Sequence, residues 1–159
     1  FPSIFFESRS LHSMKENVPV KPYFIDPTKA FVRKTGKDLT IVAFGPSVFT
    51  ALEVSKNLLS NYKISSEVID LRSINPIDEK TIISSVKKTK KIVVIENGWP
   101  DSGIASDIIS KVTEKISLKK KPIKICWPKS FIPTSYPLEK KFYFTEKEIL
   151  KRILHDFKK

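Results

Sequence analysis

Short runs of consecutive apolar residues recur along this chain, and most are followed, after a polar turn, by apolar residues spaced three and four apart. The runs are Ile41 to Phe44, Val68 to Leu71, Ile92 to Ile95 and the stretch around Ile123 to Trp127. A run of about four apolar residues bounded by turn residues has the form of a strand buried on both faces, and the wider spacing is that of a helix with one apolar side. Helical spacing appears at Val48, Ala51, Leu52, Leu58 and Leu59, then at Ile82, Ile83 and Val86. It returns at Ile104, Ala105, Ile108, Ile109, Val112 and Ile116, and finally at Ile149, Leu150, Ile153, Leu154 and Phe157.

Local signals mark several helix starts. Pro46 suits the first turn of one helix, Asp78 is placed to cap the next, and Thr145 with Glu148 forms a capping box whose hydrophobic staple is Phe144 with Ile149. Upstream, two strand-like runs flank Thr35-Gly36-Lys37-Asp38, which predicts a β-hairpin and one antiparallel edge pair. Strands alternating with helices predict a three-layer α/β/α fold around a mostly parallel five-stranded sheet with one antiparallel edge strand. The proline- and aromatic-rich stretch from Pro128 to Phe144 reads as a loop.

The pattern also divides the chain. Residues 1–28 hold an abrupt apolar segment, Phe1 to Glu7, with no methionine before it, and then a proline-bearing stretch without periodicity. The segment reads as a strand separated from upstream partners, which predicts that this chain is the C-terminal piece of a longer protein, and the stretch after it reads as a linker. Residues 29–159 form the domain proper.

Composition changes this picture little. A chain of 159 residues buries one sizeable core, and no apolar run approaches the roughly 18 residues that span a bilayer. The single cysteine, Cys126, sits in an apolar run and has no internal disulfide partner, which fits a reducing compartment, bacterial cytoplasm or organelle matrix. Nothing near it would activate a thiol, so it reads as a small buried hydrophobe. The net charge of +12 raises the question of nucleic acid, and the excess is concentrated after residue 105, where 14 basic face six acidic side chains. Yet only four of the 29 basic residues are arginine, the residue on which base and phosphate recognition leans, which argues against a nucleic-acid groove. Lys87, Lys88, Lys90 and Lys91 suit the carbonyl end of a helix.

Candidate chemistry gathers in Ile92 to Ala105, where a buried strand runs into a turn with Glu96, Trp99, Pro100, Asp101 and Gly103 before a helix begins. Such turns, at the carboxyl ends of parallel strands, are where ligands and partners sit in open α/β sheets. The chain holds no P-loop and no G-x-G-x-x-G, and neither His12 nor His155 stands near a nucleophile elbow. Asp70 and Glu96 each close a strand. They are placed either for acid/base work or for accepting hydrogen bonds from backbone amides of the next turn, with Arg72 a further partner for Asp70. The turn reads as one that acts by contact.

The stretch from Glu67 to Ile108, with its Ile-Asp-Leu-Arg run, Pro76, Asp78 and Glu96 through Gly103, closely resembles the C-terminal domain of the β subunit of thiamine-diphosphate-dependent 2-oxoacid dehydrogenases of the pyruvate type, within the transketolase superfamily. The resemblance reaches back to Ile4, so that residues 1–28 look like the end of a pyrimidine-binding domain with its interdomain linker. It reaches forward through Leu150. What it implies for chemistry is mostly negative. The full enzyme decarboxylates a 2-oxoacid and acylates lipoyl groups, but thiamine diphosphate and magnesium are held outside this part of the protein, and no residue here inherits a catalytic, cofactor or metal role. The domain instead supports a heterotetramer of α and β subunits, with Glu96, Trp99, Pro100, Asp101 and Gly103 at a subunit interface. It also offers a surface to the lipoyl acyltransferase core. Many members carry an acidic residue two positions before Pro122, facing basic residues of that core; here the docking positions are Lys120 and Lys121, a charge reversal that argues against a standard core. The competing classes are a basic binding module for an acidic partner or nucleic acid, and another enzyme of the superfamily, such as a transketolase or deoxyxylulose-phosphate synthase.

Overall fold

The computed structural model describes residues 2–158. After a turn of 3-10 helix at Arg9–Leu11, the elements are β1 (Phe31–Lys34), β2 (Leu39–Ala43), α1 (Ser47–Tyr62), β3 (Ser66–Asp70), α2 (Glu79–Thr89), β4 (Ile92–Ile95), α3 (Ile104–Lys115), β5 (Ile123–Ile125), α4 (Tyr136–Phe142) and α5 (Glu146–Lys158). The five strands form one sheet in the order β1-β3-β2-β4-β5. Four are parallel, with Leu39 to Ala43 alongside Ser66 to Asp70 and Val93 to Ile95 alongside Ile123 to Ile125. β1 runs antiparallel against β3, Phe31 opposite Asp70.

Side chains that alternate along the strands divide the core into two layers. Leu39, Ile41, Ala43, Val68, Val93 and Ile95 face α1 and α5, while Val42, Ile69 and Val94 face α2 and α3. One polar residue is admitted to the second layer because it is fully partnered. Thr40 is completely buried, and its hydroxyl shares hydrogen bonds of 2.7 Å with Ser85 and with Thr89 on α2. The capping signals operate as the sequence predicts. The Asp78 carboxylate accepts from the Thr81 N–H at 3.2 Å, and Thr145 and Glu148 bond reciprocally, with Phe144 and Ile149 both in the first layer.

Three expectations are corrected. The edge strand is antiparallel, but β1 and β2 do not form a hairpin, because β3 lies between them. Lys37 and Asp38 donate their N–H groups to the Ser65 carbonyl at 3.0 and 2.8 Å, so the connection crosses the start of β3. Gly36 is needed there for close approach, since a Cβ would sit 2.2 Å from the Ser66 carbonyl carbon. The stretch expected to be a loop contains α4, a seven-residue helix with proline in its first turn. Residues 2–7 form no strand of this sheet, and Ile4, Phe5 and Phe6 are exposed; Phe1 lies outside the described residues.

Candidate functional site: the turn after the fourth strand

β4 ends at Ile95, and the next residue turns its side chain back under the helix that follows. The Glu96 carboxylate is buried, and its two oxygens accept hydrogen bonds from the backbone N–H of Ile104 at 3.2 Å and of Ala105 at 2.9 Å. These are orphan donors at the start of α3, whose cap residue, Gly103, has no side chain to satisfy them. A carboxylate from outside the helix takes that role, in a position that the helix dipole also favours. Both oxygens are engaged, so Glu96 is a structural acceptor and not a free base.

The far side of the turn is held by a residue that sequence reasoning passed over. Lys124, in the middle of β5, donates from Nζ to the Pro100 carbonyl and to the Ser106 hydroxyl, the latter at 2.8 Å. Trp127 adds a backbone bond, N–H to the Gly98 carbonyl at 2.9 Å, and Lys129 forms an ion pair with Asp101. The signal for Lys124 was present: a lysine between two isoleucines in a short strand must carry its ammonium to a partner.

Fixed in this way, the turn presents an apolar surface. Trp99 is 50% exposed, Pro100 and Gly103 are half-buried, and Asp101 is exposed. Just beyond Lys129, Phe131 is 87% exposed and Ile132 44%. Exposed indole on a rigid turn is characteristic of residues that anchor interfaces. Glu96, Trp99, Pro100, Asp101 and Gly103 are therefore brought together, whereas Lys120 and Lys121 precede β5 at the other end of the strands and belong to a different surface.

The remaining candidates lie outside this turn. Burial pushes the Asp70 carboxyl up, against the Arg72 N–H that it accepts at 3.2 Å and the charges of Arg72 and Arg33. The Arg72 guanidinium lies over the Phe31 ring, 4.7 Å from its centre. Burial, with the Glu96 charge beside it, pushes the Cys126 thiol to about 11, so it is a poor nucleophile at neutral pH. His12 pairs with Glu7 and His155 with Asp156, both at the surface. Two surface grooves, of about 490 Å³ each, lie along α2 and are lined by no residue of the 96–103 turn. No helix is long and apolar enough to cross a membrane among the described residues.

Residues 28–149 match the family model of the transketolase C-terminal domain. Over 151 residues the chain is 38% identical to the β subunit of acetoin:2,6-dichlorophenolindophenol oxidoreductase of Bacillus subtilis (strain 168), covering 94% of this chain and 44% of that protein. It is 40% identical over 117 residues to the mitochondrial pyruvate dehydrogenase E1 component subunit beta of Dictyostelium discoideum, covering 71% of this chain and 33% of that protein. Among solved structures it is similar to a split-gene transketolase, an inactive β4 tetramer, with a TM-score of 0.72 and 28% identity over 83% of this chain and 43% of that one. The chain thus spans less than half the length of these relatives.

Proposed function

This chain belongs to the transketolase C-terminal domain family, and from that premise we propose that it is the assembly and docking domain of a 2-oxoacid dehydrogenase β subunit, of the pyruvate type. The full enzyme decarboxylates a 2-oxoacid with thiamine diphosphate and passes the acyl group to a lipoyl arm. Residues 1–28 are the end of the preceding pyrimidine-binding domain with its linker, and residues 29–159 are the assembly domain. The compartment is the bacterial cytoplasm or an organelle matrix.

The observation that carries this reading is the braced turn. Glu96 and Lys124 hold the backbone from two sides, so Trp99 is presented at half exposure on a turn that needs little further ordering on binding. Trp99, Pro100, Asp101 and Gly103 meet an α subunit or a second β subunit in a heterotetramer, Glu96 shapes the turn from beneath, and Phe131 extends the face. Lys120 and Lys121 form a second surface, at the docking position for an acyltransferase core, with a charge that suits a divergent core and not a standard one.

The thiamine group is assigned to other parts of the enzyme, a reading supported by Glu96, which already fills the α3 N-terminus where a diphosphate would otherwise find amide donors. Calorimetric titration of this chain with thiamine diphosphate and magnesium tests the point: no binding heat is expected. Saturable binding would refute the assignment of the cofactor to other parts of the enzyme. Co-purification of the full β subunit with its α subunit, with and without Trp99→Ala, tests the contact role; unchanged assembly of the variant would refute it.

A further inference from the structure

At the end of the sheet away from the Glu96 turn, two lysine-rich connections meet. One, Lys87 to Lys91, leads from α2 into β4; the other, Lys119 to Lys121, precedes β5. They are joined directly, since the Lys119 N–H donates to the Lys90 carbonyl at 2.9 Å. Seven lysines result at this end of the sheet: 87, 88, 90, 91, 119, 120 and 121. Of the seven, Lys88 alone forms an ion pair with a described residue, Glu67 at 2.6 Å. Asp38, whose charge acts on Lys91, accepts the Ser65 N–H at 2.8 Å. Burial holds the Lys91 ammonium below the usual lysine range. The charge of Asp38 opposes this, and those of Lys120 and Lys119 add to it, so the two connections share one electrostatic environment.

The helix dipole accounts for part of this face. Lys87 and Lys88 lie in the last turn of α2, where carbonyl groups favour cations. Lys119, Lys120 and Lys121 lie four to six residues beyond the end of α3 and come to the carbonyl end of α2 from another segment, through the Lys119 bond to the Lys90 carbonyl. Gathering unpaired ammonium groups costs free energy through mutual repulsion, which an anionic partner relieves.

We infer that this face docks an acidic segment of a partner protein. The inference rests on the reading of Lys120 and Lys121 as docking residues and supplies the chemistry of the partner that they meet. A polypeptide fits better than a nucleic acid. None of the seven is an arginine, and the one aromatic ring packed here, Phe157, is covered by the Lys91 ammonium at 4.0 Å and offers no face for base stacking. Compact ammonium groups on flexible stems suit a run of side-chain carboxylates.

The test uses fluorescent polyglutamate of about 20 residues and a single-stranded DNA of equal charge, titrated by anisotropy at about 0.15 M salt. The chain carrying Lys90→Glu, Lys120→Glu and Lys121→Glu is compared with one carrying Lys56→Glu, Lys141→Glu and Lys147→Glu, which has the same net charge. The first set is expected to weaken polyglutamate binding about tenfold or more and the second less than about twofold, with the DNA bound more weakly than the peptide. Should the first set fail to fold by circular dichroism, Lys119→Gln with Lys121→Gln is the milder substitute. No peptide binding, equal loss in both sets, or tighter binding of DNA would overturn the inference. Assembly with the α subunit, followed by sedimentation, is expected to be unchanged by the first set. If assembly is absent from the unsubstituted protein while polyglutamate still binds at this face, the subunit reading falls and the lysine face stands.

Discussion

The carboxylate of Glu96 lies where a side chain on residue 103 would have to be. A Cβ built on Gly103 falls 2.5 Å from Glu96 Oε2 and 2.7 Å from Oε1. Glycine is therefore required at that cap by its neighbour, even though its own φ of −84° is open to any residue. The pair explains why a carboxylate at a strand end and a glycine seven residues later go together: one supplies the missing cap, and the other leaves room for it.

Gly103→Ala is expected to destabilise the fold by about 1–3 kcal/mol, the usual cost of forcing an atom into a packed site. Urea denaturation checks this, and the companion variant Glu96→Ala with Gly103→Ala should be less than additive because the clash with the carboxylate is gone and only that with the Trp99 carbonyl, 2.8 Å away, remains. Simple additivity would show that the two residues do not share the space.

Replacing Glu96 by Gln keeps the shape but turns a donor toward one of two amide donors. A loss of about 1–3 kcal/mol is expected, as for other buried groups left without a proper partner. Hydrogen exchange should show the first turn of α3 opening before the rest of that helix.

Lys124→Met keeps the aliphatic stem in β5 and removes the bonds to Pro100 and Ser106. The expected outcome is faster exchange of amides 98–102, with global stability reduced by about 1 kcal/mol. Exchange in that segment equal to that of the unsubstituted protein would remove Lys124 from the account.

These residues also show what could be read in advance. The run Ile92 to Ile95, the Asp78 cap and the Thr145–Glu148 box were legible because each depends on neighbours within a few positions. The partner of β1 was not. Strand pairing is set across the fold, and Gly36 looks the same whether it makes a hairpin turn or lets the chain pass against Ser66. The short α4 lacked a period long enough to be seen. At the site, the five turn residues were legible as a cluster, and the structural reading of Glu96 matches its bonds to α3. Lys124 was missed because its partners lie 18 and 24 residues away in sequence.

Asp78 predicts a pH dependence. Burial pushes its carboxyl up, but the Thr81 hydroxyl and the N–H groups of Thr81 and Ala30 outweigh burial and hold it below the usual carboxylate range. Glu67 is likewise held low, chiefly by Lys88 against burial, and Lys115 and Lys111 hold Glu79 at about 2. A carboxyl whose folded value is depressed stabilises the fold above its unfolded value and loses that contribution as pH falls through the folded one. Asp70, raised by burial, acts in the opposite sense. Stability is therefore expected to fall as pH drops below about 4. Asp78→Asn should cost about 1 kcal/mol at pH 7, and the difference from the unsubstituted protein should shrink as pH falls below about 4, as measured by denaturant titration at each pH.

Burial of Trp99 in a subunit contact is the central claim. With the Trp99→Phe variant as the blank that isolates the Trp99 signal, acrylamide quenching of the full β subunit is measured before and after saturation with the α subunit. The account predicts that quenching falls severalfold on assembly, and that Trp99→Ala weakens assembly by about 2 kcal/mol, the scale of an interface anchor, while leaving the denaturation midpoint in place. Complete assembly with Trp99 as accessible to quencher as in the free subunit would contradict it.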